Sequence, residues 1–196
     1  MSRKHNGLSF YHKRKRISSS LIREILSWVF GIFVTVFIAC VAVYFAGMTI
    51  SMIGASMDPT IANGEKVYIN RLVYLISSPK EGDVIVFLPN GNEKSHYYVK
   101  RVVATPGDTV QIIDGRLYVN GEMEQTGPVV FDKMADPGIA QNPLVLKTDE
   151  YFVLGDNRNH SEDSRAANIG TVQKQDILGK AWFHSGGDGN GIGLIR

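Results

Sequence analysis

The sequence predicts a mainly β domain behind one N-terminal membrane-spanning helix. Two observations carry this expectation. Residues 25–50 contain no charged side chain, and about 20 apolar residues suffice to cross the hydrocarbon core as a helix. Beyond that run, short stretches rich in Val, Ile, Tyr and Phe alternate with turn residues, which is the pattern of a β domain. A length of 196 residues suits one such domain with an anchor. The apolar fraction of 44% is ordinary, and the net charge of +2 gives no reason to expect a nucleic-acid partner.

Positive charge is concentrated at the start: Arg3, Lys4, Lys13, Arg14, Lys15, Arg16 and Arg23 all precede the apolar run. Cytoplasmic flanks carry such an excess. The expected order is therefore a basic cytoplasmic segment over 1–24, a single transmembrane helix over 25–48 and an extracytoplasmic β domain over 49–196, in the cell membrane. Trp28 and Tyr44 lie near the two ends of the run, where amphipathic rings favour the interface. A removable signal sequence would have an apolar core of only about 7–15 residues and a small-x-small cleavage site. This run is longer and its basic flank is long, so an uncleaved anchor is expected. The single cysteine, Cys40, lies inside the run. It excludes an intrachain disulfide and reads as a small apolar side chain.

After the anchor, 66–70 reads as a strand. Segments 83–88 and 96–104 read as two more, joined by the turn Pro89-Asn90-Gly91-Asn92. Segments 109–113 and 116–120 form a hairpin about Asp114-Gly115, a pair that tolerates positive φ at both central turn positions. From 122 to 148 the pattern weakens and Pro128, Pro137 and Pro143 interrupt it, as expected of an insertion or small subdomain. Strand character resumes over 151–154. The glycine-rich end from Ser185 reads as a loose tail.

Three segments carry candidate chemistry. Ser56 lies in Gly54-Ala55-Ser56-Met57-Asp58-Pro59-Thr60, bracketed by chain-bending residues. A serine hydroxyl is a weak nucleophile until a base takes its proton. Lys100 lies in Tyr98-Val99-Lys100-Arg101-Val102-Val103, where strand alternation gives it the Tyr98 and Val102 face and turns Arg101 away. A lysine amine acts as a base only where burial keeps it neutral, at a cost of about 3–4 kcal/mol. The polar segment 155–165 offers a serine that could hydrogen-bond the amine, and Asp163 and Arg165 could pair. Each segment alone also has an ordinary reading: a loop serine, a lysine snorkelling to solvent, a solvated loop.

Taken together, the segments resemble the bacterial type I signal peptidases, in the Gram-positive manner. Four stretches carry the resemblance in order: Ser56-Met57-Asp58-Pro59-Thr60, Gly82-Asp83-Val84-Ile85-Val86-Phe87, Tyr98-Val99-Lys100-Arg101-Val102 with Pro106-Gly107-Asp108, and Gly155-Asp156-Asn157-Arg158 through Ser161 to Asp163-Ser164-Arg165. The resemblance implies a signal-peptidase-like β domain with Ser56 as nucleophile and Lys100 as general base. It implies that Ser161 positions the amine and that Asp163 and Arg165 form a supporting ion pair. Tyr98 and Val99 would line the substrate cleft, with Met52, Gly54, Met57 and Ile61 also bordering the substrate. Some members carry a serine where this chain has Gly54, and its hydroxyl helps hold the oxyanion; Gly54 leaves that second donor open. No metal or cofactor is implied, and the five histidines lack zinc-ligand spacing. The implied partners are preproteins with signal peptides, membrane lipid and the secretion machinery. A non-catalytic relative that binds peptides or assists surface-structure assembly is the alternative, and retention of both Ser56 and Lys100 argues against it. A self-cleaving Ser-Lys regulator fits neither the anchor nor the lack of a DNA-binding region.

Overall fold

The computed structural model describes residues 18–124, 131–186 and 191–195. The basic residues from Arg3 to Arg16, and Pro128, lie outside the described residues. The chain divides into two units, Met1–Tyr44 and Phe45–Arg196.

Helix α1 runs Ser19–Ala46. It starts earlier than the uncharged run and takes in Arg23 and Glu24. It contains no proline, and its stretch Ser19–Val41 has a mean hydropathy of 2.2 with none of its residues buried. Leu26, Trp28, Phe30, Phe33 and Phe37 are exposed on all sides. A helix that is apolar all round calls for an apolar surround, and its length matches a bilayer.

The strands of the second unit are β1 (Gly47–Ser51), β2 (Lys66–Asn70), β3 (Val84–Phe87), β4 (Tyr98–Ala104), β5 (Thr109–Ile113), β6 (Arg116–Val119), β7 (Glu122–Met123), β8 (Leu144–Val145), β9 (Glu150–Leu154), β10 (Val172–Gln173), β11 (Ile177–Ser185) and β12 (Ile192–Leu194). A short helix α2 (Val73–Ile76) follows β2. The larger sheet runs β1-β2-β11-β3-β4-β9-β10, with β12 paired to β11. The smaller runs β7-β6-β5-β8. Hairpin β5–β6 turns at Asp114 and Gly115, with φ of 51° and 76°, as the Asp-Gly pair predicts. The 122–148 segment supplies β7 and β8, which pair with β6 and β5 at the two edges of the smaller sheet.

Strand β3 is buried on both faces, and its unbroken Val-Ile-Val-Phe follows from that. Val84 and Val86 pack with Met52, Met57, Ile61 and Val99. Ile85 and Phe87 pack on the other side with Val102, Tyr151 and Val153. The smaller sheet closes on Phe152 and Leu154 of β9.

Two expectations need correction. The apolar run does not stay helical to 48: β1 begins at Gly47 and pairs in register with β2, Gly47 opposite Asn70 and Ser51 opposite Lys66. Hydropathy alone does not register a change from helix to strand within one uncharged stretch. The end of the chain is not simply a loose tail. Residues 192–194 form β12 against Phe183–Ser185 of β11, and the Ile195 N–H donates to the Trp182 carbonyl.

Candidate active site

The site starts with a loop from Met52 to Glu65. The Met52 N–H donates to the Glu65 carbonyl at 2.7 Å, and the Gly64 N–H returns to the Met52 carbonyl at 2.9 Å. Met57 and Ile61 are wholly buried and anchor the loop in the core. They therefore sit beneath the loop and do not line the cleft described below. Gly54 has φ of +84°, a left-handed conformation that suits glycine. Its N–H is engaged by Asn63 Oδ1 at 2.9 Å. Ser56 follows on the partly exposed side of the loop.

Strand β4 brings Lys100 to this loop. Its Nζ lies 2.6 Å from Ser56 Oγ, a hydrogen bond across 44 residues of sequence. Lys100 is only 3% exposed. Burial is the largest influence on its amine and lowers the pKa from 10.5 to about 8; the Asp163, Glu162 and Asp156 carboxylates pull it up, and the Arg165 guanidinium pushes it down. The Tyr98 ring walls one side, its centroid 5.5 Å from Nζ.

The third segment closes the site. Asp163 and Arg165 form the expected ion pair, doubly bonded at 2.8 and 2.9 Å, with both residues buried. Asp163 Oδ2 also accepts the Gly155 N–H at 3.1 Å, and the Asn157 N–H donates to the Ser56 carbonyl at 3.1 Å. Gly155 runs so close to Ser56 that a Cβ there would strike the Ser56 carbonyl and the Ser161 side chain. Ser161 Oγ is buried among these groups without a hydrogen-bond partner among the described residues. The expected bond from the amine to Ser161 is not formed here, where the partner of Nζ is Ser56 Oγ.

A further connection joins all three segments. Arg101, on the opposite face of β4 from Lys100, binds Asp156 twice, at 2.8 and 2.6 Å. Asp156 also accepts the Thr60 hydroxyl at 2.5 Å. Sequence reasoning named these residues within the motifs and gave them no joint role. The available signal was a cation facing away from Lys100 and an anion in the Gly155-Asp156-Asn157 turn.

Met52, Ile53, Ser56, Tyr98, Val99, Lys100 and Glu162 help line a cleft of about 260 Å³. Of the expected substrate-bordering residues, Met52, Tyr98 and Val99 reach it. A larger groove of about 980 Å³, lined partly by α2 and residues 173–178, contains neither Ser56 nor Lys100. The smaller cleft is the candidate site because it brings hydroxyl and amine together.

Comparison with known proteins identifies the family of the chain. Residues 25–185 match the family described as signal peptidase, peptidase S26. Signal peptidase I P of Bacillus subtilis subsp. natto is 35% identical over 166 residues, covering 82% of this chain and 88% of that protein. Signal peptidase IB of Staphylococcus aureus (strain COL) is 34% identical over 175 residues, covering 82% and 89%. The crystal structure of a signal peptidase I from Enterococcus faecalis V583 superposes with a TM-score of 0.42 at 28% identity, over 54% of this chain and 97% of that one. With a family match across most of its length and relatives above 30% identity that cover 82% of it, this chain belongs to the signal peptidase family, peptidase S26.

Proposed function

We infer that this chain is a membrane-anchored serine peptidase that removes signal peptides from preproteins, with Ser56 and Lys100 as its catalytic pair. The observation that carries the assignment is the 2.6 Å hydrogen bond between the Ser56 hydroxyl and a Lys100 amine that burial drives toward neutrality. Neutral Lys100 takes the Ser56 proton as Oγ attacks the peptide carbonyl. The ammonium then gives that proton to the leaving amine. In the second half, Lys100 draws a proton from water, and the hydroxide equivalent releases the acyl group from Ser56.

The Ser56 N–H carries no hydrogen bond among the described residues and is one donor for the oxyanion. The Gly54 N–H is already committed to Asn63, so the second donor is not this amide as it stands. Ser161, whose buried hydroxyl has no hydrogen-bond partner among the described residues, supplies the amine with a second partner once Ser56 Oγ has become an ester. Asp163 and Arg165 hold its loop.

Strand β4 pairs with β9 only from Arg101 onward. Residues 98–100 thus keep a free edge beside Ser56, on which an extended substrate adds as a strand. A cleft of about 260 Å³ suits small side chains one and three residues before the cut. Basic residues ahead of α1 hold that end in the cytoplasm and place the catalytic unit outside, where the secretion machinery delivers preproteins beside the membrane lipid.

The test is cleavage of a preprotein by full-length protein, with the new N-terminus of the product sequenced. Ser56→Ala and Lys100→Ala each lower the rate by at least about 1,000-fold and leave the circular-dichroism spectrum unchanged. Substantial turnover by either variant refutes the pair.

A further inference from the structure

Glu162 stands between Ser161 and Asp163, and its side chain belongs to neither the proposed dyad nor the ion pair. It is exposed, yet both carboxylate oxygens are taken. Oε2 accepts the Tyr98 hydroxyl at 2.9 Å, and Oε1 accepts the Asn168 amide at 2.7 Å. Those two hydrogen bonds, Asn168 first, hold its carboxyl below the usual carboxylate range, so it stays ionised through neutral pH. Tyr98 is the residue whose ring walls the Lys100 amine. It is also raised above its ordinary value, by burial first and by Glu162 second, so its hydroxyl remains a donor. Behind it, Phe87 packs on the ring at 5.9 Å between centroids. The ring is therefore gripped at its tip by Glu162 and along its body by Phe87.

We propose that Glu162 is a positioning residue for the cleavage reaction: it latches the Tyr98 ring beside the Lys100 amine and so keeps water from the base. The proposal rests on the assignment of Lys100 as that base. The latch has two electrostatic consequences of opposite sign. Holding the ring in place keeps the amine dry and disfavours the ammonium. The negative charge of Glu162 favours it. The other charged groups acting on the amine are Asp163, Asp156 and Arg165, and His96 lines the same cleft. None of these is altered by changing the latch.

Two substitutions separate the consequences. Glu162→Gln keeps an acceptor for the Tyr98 hydroxyl and removes the charge. Tyr98→Phe keeps the ring and the charge and removes the latch. The experiment measures preprotein cleavage against pH for wild type, Glu162→Gln, Tyr98→Phe, Glu162→Ala and the Tyr98→Phe/Glu162→Ala double variant, with Lys100→Ala as control. For Glu162→Gln the acid limb moves to lower pH, by roughly half a pH unit, because an exposed charge acts through solvent. For Tyr98→Phe it moves to higher pH, as water reaches the ammonium.

On the alkaline plateau, where the amine is neutral in every variant, Tyr98→Phe and Glu162→Ala each lower kcat several-fold, and the double variant is no worse than either alone. Losses that multiply in the double variant, or a Tyr98→Phe limb that coincides with wild type, overturn the latch. Turnover by Lys100→Ala would instead overturn the base on which the latch depends, so the two failures are distinguishable.

Discussion

Lys100 is 3% exposed and holds its amine against a serine hydroxyl, an arrangement that burdens the fold with a desolvated amine. Its pKa in the folded protein is about 8, against an ordinary 10.5. Below about pH 8 both folded and unfolded chains carry the charge, and the fold bears the full desolvation penalty. Between about 8 and 10.5 the folded amine is neutral while the unfolded one still binds a proton, so stability rises with pH. Lys100→Met should therefore be inactive and more stable at neutral pH, by about 3 kcal/mol. The gain should fade as pH approaches 10.5. Thermal melts at pH 7 and pH 10 check this, and a Met variant no more stable than wild type at pH 7 contradicts it. At this scale the meeting of Ser56 with Lys100 and the Asp163–Arg165 pair were legible through the resemblance that the four motif stretches carry. The burial of Met57 and Ile61 beneath the loop was not, because a short apolar side chain reads alike whether it faces substrate or core.

Among the elements, the loop 155–165 depends on close approach more than on any single bond. Gly155 meets the Ser56 carbonyl and the Ser161 side chain where no Cβ fits, while the Asn157 N–H ties the loop to the Ser56 carbonyl and Asp163 accepts the Gly155 N–H within the loop. Gly155→Ala should displace Ser56 from Lys100 by a fraction of an ångström to an ångström. Activity then falls about 100-fold, and stability falls by about 1–3 kcal/mol from overpacking. Cleavage rates and urea melts measure both, and wild-type turnover would show that the approach is not required. The sequence announced β2, β3, β4 and the β5–β6 hairpin through runs rich in Val, Ile, Tyr and Phe bounded by turn residues. It concealed β11, where Gly179 and a register shift between Ala181 and Phe183 break the alternation. It also concealed β12, whose strand state comes from pairing with β11 and not from its own residues.

At the scale of the molecule, the sheet order joins distant parts of the chain. Strands β1 and β2 flank the Ser56 loop, and β3 and β4 carry the Lys100 side. In the order of the sheet the two pairs are joined by β11, which hydrogen-bonds to β2 on one edge and β3 on the other. Ala181, wholly buried in β11, sits at that seam. Ala181→Asp would bury an unpaired carboxylate there, destabilising the fold by several kcal/mol and abolishing cleavage, although residue 181 belongs to none of the four motif stretches. Limited proteolysis and a cleavage assay test this, and a variant as resistant and as active as wild type contradicts it. Helix α1 could be read from hydropathy without knowing anything else; this central role for a C-terminal strand could not, because strand order is a non-local property.

That seam also orders events in time. A ribosome delivers Ser56 and Lys100 long before residues 177–185, yet hydroxyl and amine meet in a sheet that β11 completes. A chain that has reached residue 100 thus carries the proposed nucleophile and base without the strand that joins their two sides of the sheet. Synthesis of β11 acts as a built-in delay, so that on the proposed mechanism cleavage begins only after residues 177–185 have been added.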